Sequence, residues 1–185
     1  KTGIEVSESK GELSNLEGDI DVNYDTASFG QGVNVTPIQM VQAYGAMANG
    51  GKMMKPYVVN ARITGNGKVE ETQPSVVGQP ITVQTASTIS AMLVNVVENG
   101  HGKRAGVKGY YVAGKTGTAQ VPLKGGGGYD KNNNIGSFAG YAPVEDPRFV
   151  MLVRVNHPRT VSFAESTAAP AFGTMAQFLL QYYGV

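Results

Sequence analysis

Apolar and polar positions recur with different periods along the chain, and each change of period marks an element. Residues 1–34 are polar and turn-rich, punctuated by Gly3, Gly11, Gly18, Gly30 and Gly32, and carry no helical period. From Ile38 onward apolar side chains return at helical spacing through Val41, Tyr44 and Ala48, with Met40 and Met47 beside them. Thr36 is a suitable N-cap, Pro37 suits the first helical position, and Gln39 stands where a capping-box partner belongs. Asn49-Gly50-Gly51 closes this helix, because such residues tolerate the left-handed turn at a helix C-terminus. Tyr57–Thr64 is rich in β-branched and aromatic residues, Gly65-Asn66-Gly67 turns, and Lys68–Thr72 returns, which predicts a hairpin. A second helix is predicted from Val83 to Val97, capped by Thr82 and closed by Asn99-Gly100. Its apolar stripe is Val83, Ala86, Ile89, Leu93, Val96 and Val97.

Three strands follow by the same reading: Tyr110–Gln120, Ser137–Pro143 and Phe149–Asn156. The composition of "VPLKGGGGYDKNNN" between the first two predicts a flexible loop, with Gly125–Gly128 a variable linker rather than a lid. The short polar turn "APVEDPRF" predicts an antiparallel hairpin of the second and third strands. Tyr110 and Tyr111 are expected to pack on opposite faces of the sheet, and Phe138 and Tyr141 to brace the first strand. From Ala168 to Tyr183, Ala171, Met175, Phe178, Leu179 and Tyr182 recur at helical spacing, predicting a terminal helix against the sheet. The fold class is α+β, an antiparallel β-sheet flanked by helices.

Composition narrows the possible functions. The 185 residues, 41% of them hydrophobic, suffice for one domain with a core. Fifteen Lys and Arg (Lys+Arg 15) against fourteen Asp and Glu (Asp+Glu 14) leave a net charge of +1, which gives no electrostatic footprint for nucleic acid. "HGKRAGVKG" gathers Lys103, Arg104 and Lys108, and reads as a solvated loop. Without cysteine, neither a disulfide framework nor a thiolate metal site is possible, which suits an exported bacterial protein. His101 and His157 lack ligand spacing, so no metal is expected. Nor does the sequence imply a cofactor. The opening "KTGIEV" lacks a methionine and a basic leader, and the chain is read as a piece of something longer.

"GYYVAGKTGTAQ", Gly109 to Gln120, carries the chemistry and admits two readings. Gly109-x-x-x-x-Gly114-Lys115-Thr116 satisfies the phosphate-loop pattern. That loop needs inward backbone N–H groups and a helix opening at its lysine. Tyr-Tyr-Val-Ala between the glycines is a strand composition, and Gly117 and Pro122 make a poor helix start. The nucleotide reading fails on context. A lysine on a strand beside a cleft can supply positive charge. Gly117 removes a side chain where substrate must lie close, and Thr116 and Thr118 add hydroxyls able to bind a carboxylate. A backbone N–H facing the cleft can also stabilise an oxyanion.

Lys-Thr-Gly is one of three motifs of the penicillin-interacting serine enzymes, beside S-x-x-K and S-x-N. "VAGKTGTAQ" followed by "GSFAGYAP" resembles the Lys-Thr-Gly strand and next strand of the penicillin-binding proteins, the bacterial cell-wall D,D-transpeptidases. "KTGIE" and "SFGQGVNVTPIQMVQAYGAMANGG" resemble segments of the class B, high-molecular-mass members, and the order and spacing match across essentially the whole chain. The resemblance implies a serine that attacks a stem-peptide D-Ala carbonyl, releases D-Ala and passes the acyl group to a neighbouring amine. Within it Lys115 would assist proton traffic and attract the terminal carboxylate, and Thr116 and Thr118 would bind that carboxylate. Gly117 would permit close approach, and the Thr118 N–H would form half of the oxyanion hole. Peptidoglycan stem peptides and β-lactams would be the ligands, and cell-wall synthesis or division proteins the partners. The implied place is the extracytoplasmic face of the bacterial cytoplasmic membrane, with an N-terminal anchor outside this chain.

The implied serine is the missing part. Ser7-Glu8-Ser9-Lys10 matches S-x-x-K by letter but lies in a polar, turn-rich stretch, and no S-x-N stands between Ser7 and Lys115. Lys1-Thr2-Gly3 precedes a loop and is a second decoy. Residues 1–185 are therefore expected to be the C-terminal portion of a transpeptidase domain, inactive alone, requiring the missing N-terminal part as a partner. Of the family's five sheet strands two would lie upstream, leaving Phe149–Asn156 as an open edge. The alternatives are a non-catalytic signalling or interaction module of the same fold, a D,D-carboxypeptidase, or a β-lactamase. The intact Lys115–Thr118 motif argues against the first, and the class B resemblance of residues 1–51 against the others.

Overall fold

The computed structural model describes residues 1–123, 125 and 128–185. Its elements in chain order are α1 (Asp21–Ser28), α2 (Pro37–Ala48), β1 (Met53–Met54), β2 (Ala61–Ile63), β3 (Val69–Glu71), β4 (Val76–Gly78) and α3 (Val83–Asn99), then β5 (Ala113–Pro122), β6 (Tyr129–Ala142), β7 (Phe149–Asn156) and α4 (Ala168–Tyr183). The central sheet is antiparallel in the order β5-β6-β7, and among the described residues no strand pairs with the outer edge of either β5 or β7. The α+β expectation holds.

The two sheet faces bury different partners, because successive strand residues point to opposite sides. On one side Phe138, Ala142 and Phe149 meet Ala168, Ala169, Phe172, Ala176 and Leu180 of α4. On the other, Ala113, Ala139 and Tyr141 meet Tyr44 of α2 and Leu93 and Val94 of α3. Tyr141 keeps its hydroxyl satisfied by a 2.6 Å hydrogen bond with Ser90 of α3. Phe138 and Tyr141, fully buried on opposite faces of β6, brace β5 as expected.

The cap of α2 follows its sequence signal. Gln39 N–H donates to Thr36 Oγ1 at 3.3 Å, and Thr36 N–H donates to Gln39 Oε1 at 2.8 Å. These bonds satisfy backbone donors that the first helical turn leaves open. Thr36→Ala is expected to cost about 0.5–2 kcal/mol, read from the urea midpoint by circular dichroism.

Several boundaries differ from expectation. Residues 1–34 contain α1, a helix with no buried residue, pinned through Asn23 Nδ2 to Asn15 O and Tyr24 OH to Leu16 O. β5 starts at Ala113, not Tyr110, because Gly109 at φ 92° and a Val107–Tyr110 bridge make a tight turn first. Tyr110 and Tyr111 thus precede the strand; Tyr110 OH donates to Val185 O and Tyr111 is exposed. β6 begins at Tyr129 rather than Ser137, so polar residues extend the hairpin past a register shift at Gln120/Val121. The linker reading of Gly125–Gly128 falls at 126 and 127, outside the described residues. On α4 the expected stripe is rotated. Phe172, Ala176 and Leu180 are buried, whereas Met175, Phe178 and Tyr182 are 49, 64 and 73% exposed. Phe172 and Leu180 fill the sheet side together with Ala168, Ala169, Gly173 and Ala176, whose small size lets the helix seat closely.

Candidate active site

The site is built on β5, whose register places Lys115 opposite Ala139, Thr116 opposite Phe138, Gly117 opposite Ser137 and Thr118 opposite Gly136. Alternation sends Lys115 toward the α2 side and the two threonines toward the α4 side. β5 is an edge strand, so neighbouring side chains can wrap round its free margin and meet. They do: Lys115 Nζ lies 3.3 Å from Thr116 Oγ1 and donates to Thr116 O at 2.9 Å. Lys115 is exposed, on a strand rather than at a helix N-terminus, so the geometry of a phosphate loop is not present.

Thr118 has a different neighbour. Its Oγ1 accepts a 3.3 Å hydrogen bond from the buried Ala164 N–H, in a single 3-10 turn, Ala164–Ser166, that leads into α4. Each threonine hydroxyl thus accepts from a nitrogen and keeps its own proton to donate. Two hydroxyl donors and one ammonium at a strand edge form a chemically coherent receptor for a carboxylate. Gly117 suits the site in two ways. A Cβ there would stand 2.7 Å from Ser137 Oγ, which donates to Gly117 O at 3.3 Å. Its bareness also leaves the strand margin open to a ligand.

An open cleft of about 640 Å³ runs between this strand and α2, lined by Lys115 to Thr118, Tyr44, Phe29, Arg154 and others. Burial pushes the Tyr44 hydroxyl up to about 12. A smaller recess of about 330 Å³ also opens on Thr116 and Thr118, with His101, Phe163, Ala164 and Glu165 lining it. His101 Nδ1 and Glu165 Oε2 are 2.6 Å apart across 64 positions of sequence. The sequence reading assigned neither residue a role; no periodicity or motif links positions so far apart.

The other marked residues stand elsewhere. Ser7 is exposed in non-helical backbone, so Lys10 is not presented one helical turn away from it. Lys1-Thr2-Gly3 is tied down by Glu8, whose carboxylate accepts from Thr2 N–H at 2.7 Å and Gly3 N–H at 3.2 Å. The Thr2 N–H chiefly, with the Gly3 N–H, holds Glu8 below the usual carboxylate range. His157 follows β7 with φ 51°, its Nδ1 3.0 Å from Asn133 Oδ1, and lines neither recess.

A cationic edge strand over a cleft, in a sheet with helices on both sides, is the arrangement of serine acyl-transfer enzymes with a Lys-Thr-Gly strand. The family profile described as the penicillin binding protein transpeptidase domain matches residues 1–177, and the chain belongs to that family. It is 42% identical over 189 residues to stage V sporulation protein D of Bacillus subtilis (strain 168), covering 100% of this chain and 29% of that protein. It is 32% identical to the peptidoglycan D,D-transpeptidase FtsI of Buchnera aphidicola subsp. Baizongia pistaciae, covering 87% of this chain and 27% of that protein. Among solved structures, penicillin binding protein 3 of Mycobacterium tuberculosis complexed with aztreonam superposes with a TM-score of 0.91 at 32% identity. That match covers 100% of this chain and 44% of the other. The chain therefore spans less than a third of these curated relatives.

Proposed function

We propose that this chain is the carboxylate-recognising part of a peptidoglycan D,D-transpeptidase domain, whose nucleophilic serine is supplied by a segment outside residues 1–185. The observation that carries the reading is the convergence of the Lys115 ammonium and the Thr116 and Thr118 hydroxyls on one free strand edge above a cleft. Names of relatives support it, since several are peptidoglycan D,D-transpeptidases. In this reading the terminal carboxylate of a stem peptide docks on the ammonium and hydroxyls. The serine oxygen adds to the penultimate D-Ala carbonyl, and the oxyanion takes the Thr118 N–H. The C–N bond then breaks, D-Ala leaves with the proton, and the ester carbon passes to a neighbouring amine as the serine regains its hydrogen. A β-lactam presents a carboxylate or sulfonate near a strained amide and acylates the same serine. Cell-wall synthesis or division proteins are its inferred partners, and the cell envelope its place, with the anchor in a segment outside this chain.

The test uses both forms of the protein. A fluorescent penicillin should label the full-length protein, and mass spectrometry should locate the adduct on a serine outside these residues. The isolated 185-residue chain should stay dark. A stable adduct on any serine of the isolated chain would overturn the division of labour proposed here.

A further inference from the structure

We propose that His101 and Glu165 form a latch that sets the Thr118 hydroxyl for carboxylate binding, which makes them positioning residues of the site; the inference rests on the carboxylate reading above. The contacts form an unbroken chain. Glu165 Oε2 meets His101 Nδ1 at 2.6 Å, and the adjoining Ala164 N–H donates to Thr118 Oγ1 at 3.3 Å. His101, Ala164, Glu165, Thr116 and Thr118 line one recess, so the latch and the hydroxyls share a space.

Each end of the latch is anchored. His101 sits between Gly100 and Gly102, whose N–H groups both donate to Val96 O, at 3.1 and 3.0 Å. A Cβ on either glycine would lie within 3.0 Å of that carbonyl, so the tight turn that presents the imidazole requires both. At the other end, β6 makes room for the 3-10 turn. Gly136, opposite Thr118, would with a Cβ stand 2.6 Å from Thr167 Oγ1 and 3.3 Å from Ala164 Cα. The turn therefore rests on bare backbone from below and is gripped by His101 from outside. An exposed imidazole–carboxylate contact of this kind contributes little to stability. Its consequence here is orientational. It holds Ala164 N–H on one lone pair of Thr118 Oγ1 and so directs the hydroxyl proton toward the ligand.

The test is a cycle between the latch and the ligand's carboxylate in the full-length protein. The substrates are a D-alanyl thioester that leaves with a free carboxylate and its carboxamide analogue, both followed by second-order acylation rate. His101→Ala and Glu165→Ala should each slow the carboxylate substrate about 3- to 30-fold and leave the carboxamide within about 2-fold. Glu165→Gln retains an acceptor for the His101 N–H and should recover most of the loss. Equal slowing of both substrates would reduce the pair to a structural tie and overturn the proposal, as would no slowing of either. If the unaltered protein fails to prefer the carboxylate substrate, the carboxylate reading itself falls and the latch with it. If it does prefer it while the variants keep the full preference, only the latch falls.

Discussion

Lys115→Ala in the full-length protein is expected to slow acylation by a penicillin about 100- to 10,000-fold. Two contributions are lost together. The ammonium is the one cation within hydrogen-bond reach of Thr116 Oγ1 among the described residues, so under the carboxylate proposal its removal takes the charge that attracts the ligand's anion. In the proposed mechanism it also removes a proton-relaying group at the reacting end of the cleft. The fold should not notice: Lys115 is exposed and, among the described residues, its hydrogen bonds go to the neighbouring Thr116, so stability should shift by less than about 0.5 kcal/mol. Lys115→Arg keeps charge but replaces a compact ammonium with a planar fork, and should restore only part of the rate. Stopped-flow acylation, separating binding from the covalent step, is the measurement. An unchanged rate constant in the alanine variant would remove Lys115 from the site.

The largest expected effect on stability lies at Phe172. Its ring is fully buried between α4 and the sheet, 4.7 Å by centroid from Phe138 and 6.5 Å from Phe149. Phe172→Ala should cost about 3–5 kcal/mol, the upper range for a core truncation. The reason is the company it keeps. Its neighbours on the helix are Ala168, Ala169 and Ala176, and Gly140 lies beneath the ring, so few side chains can lean in to fill the void. Phe172→Leu retains more of the volume and should cost clearly less. Urea unfolding followed by circular dichroism decides it; a shift near zero would mean that the sheet and α4 collapse onto the gap.

What could be read from the chain, and what could not, divides along burial. α2 and α3 announced themselves because each buries part of an apolar stripe and carries a threonine cap. α1 left no mark, since a helix that buries nothing needs no period. β1 and β4 are two and three residues long, too short to alternate visibly. α4 is legible but turned: Met175, Phe178 and Tyr182 suggest the inward face, while Phe172 and Leu180 occupy it with alanines and Gly173 between them. Lys115 to Thr118 were legible because the motif is contiguous. His101, Ala164 and Glu165 were not, because the folding of distant turns brings them to the strand and leaves no local pattern.

The alanine and glycine seat of α4 has one further consequence. A Cβ at Gly173 would stand 2.7 Å from Arg104 O, so helix backbone and neighbouring loop are already at touching distance there. That contact fixes where α4 meets the loop, while Phe172 and Leu180 fill the rest of its buried face. The turn that precedes α4 starts from that fixed base, and the imidazole–carboxylate contact takes up the freedom left between the Ala164 N–H and the threonine hydroxyl.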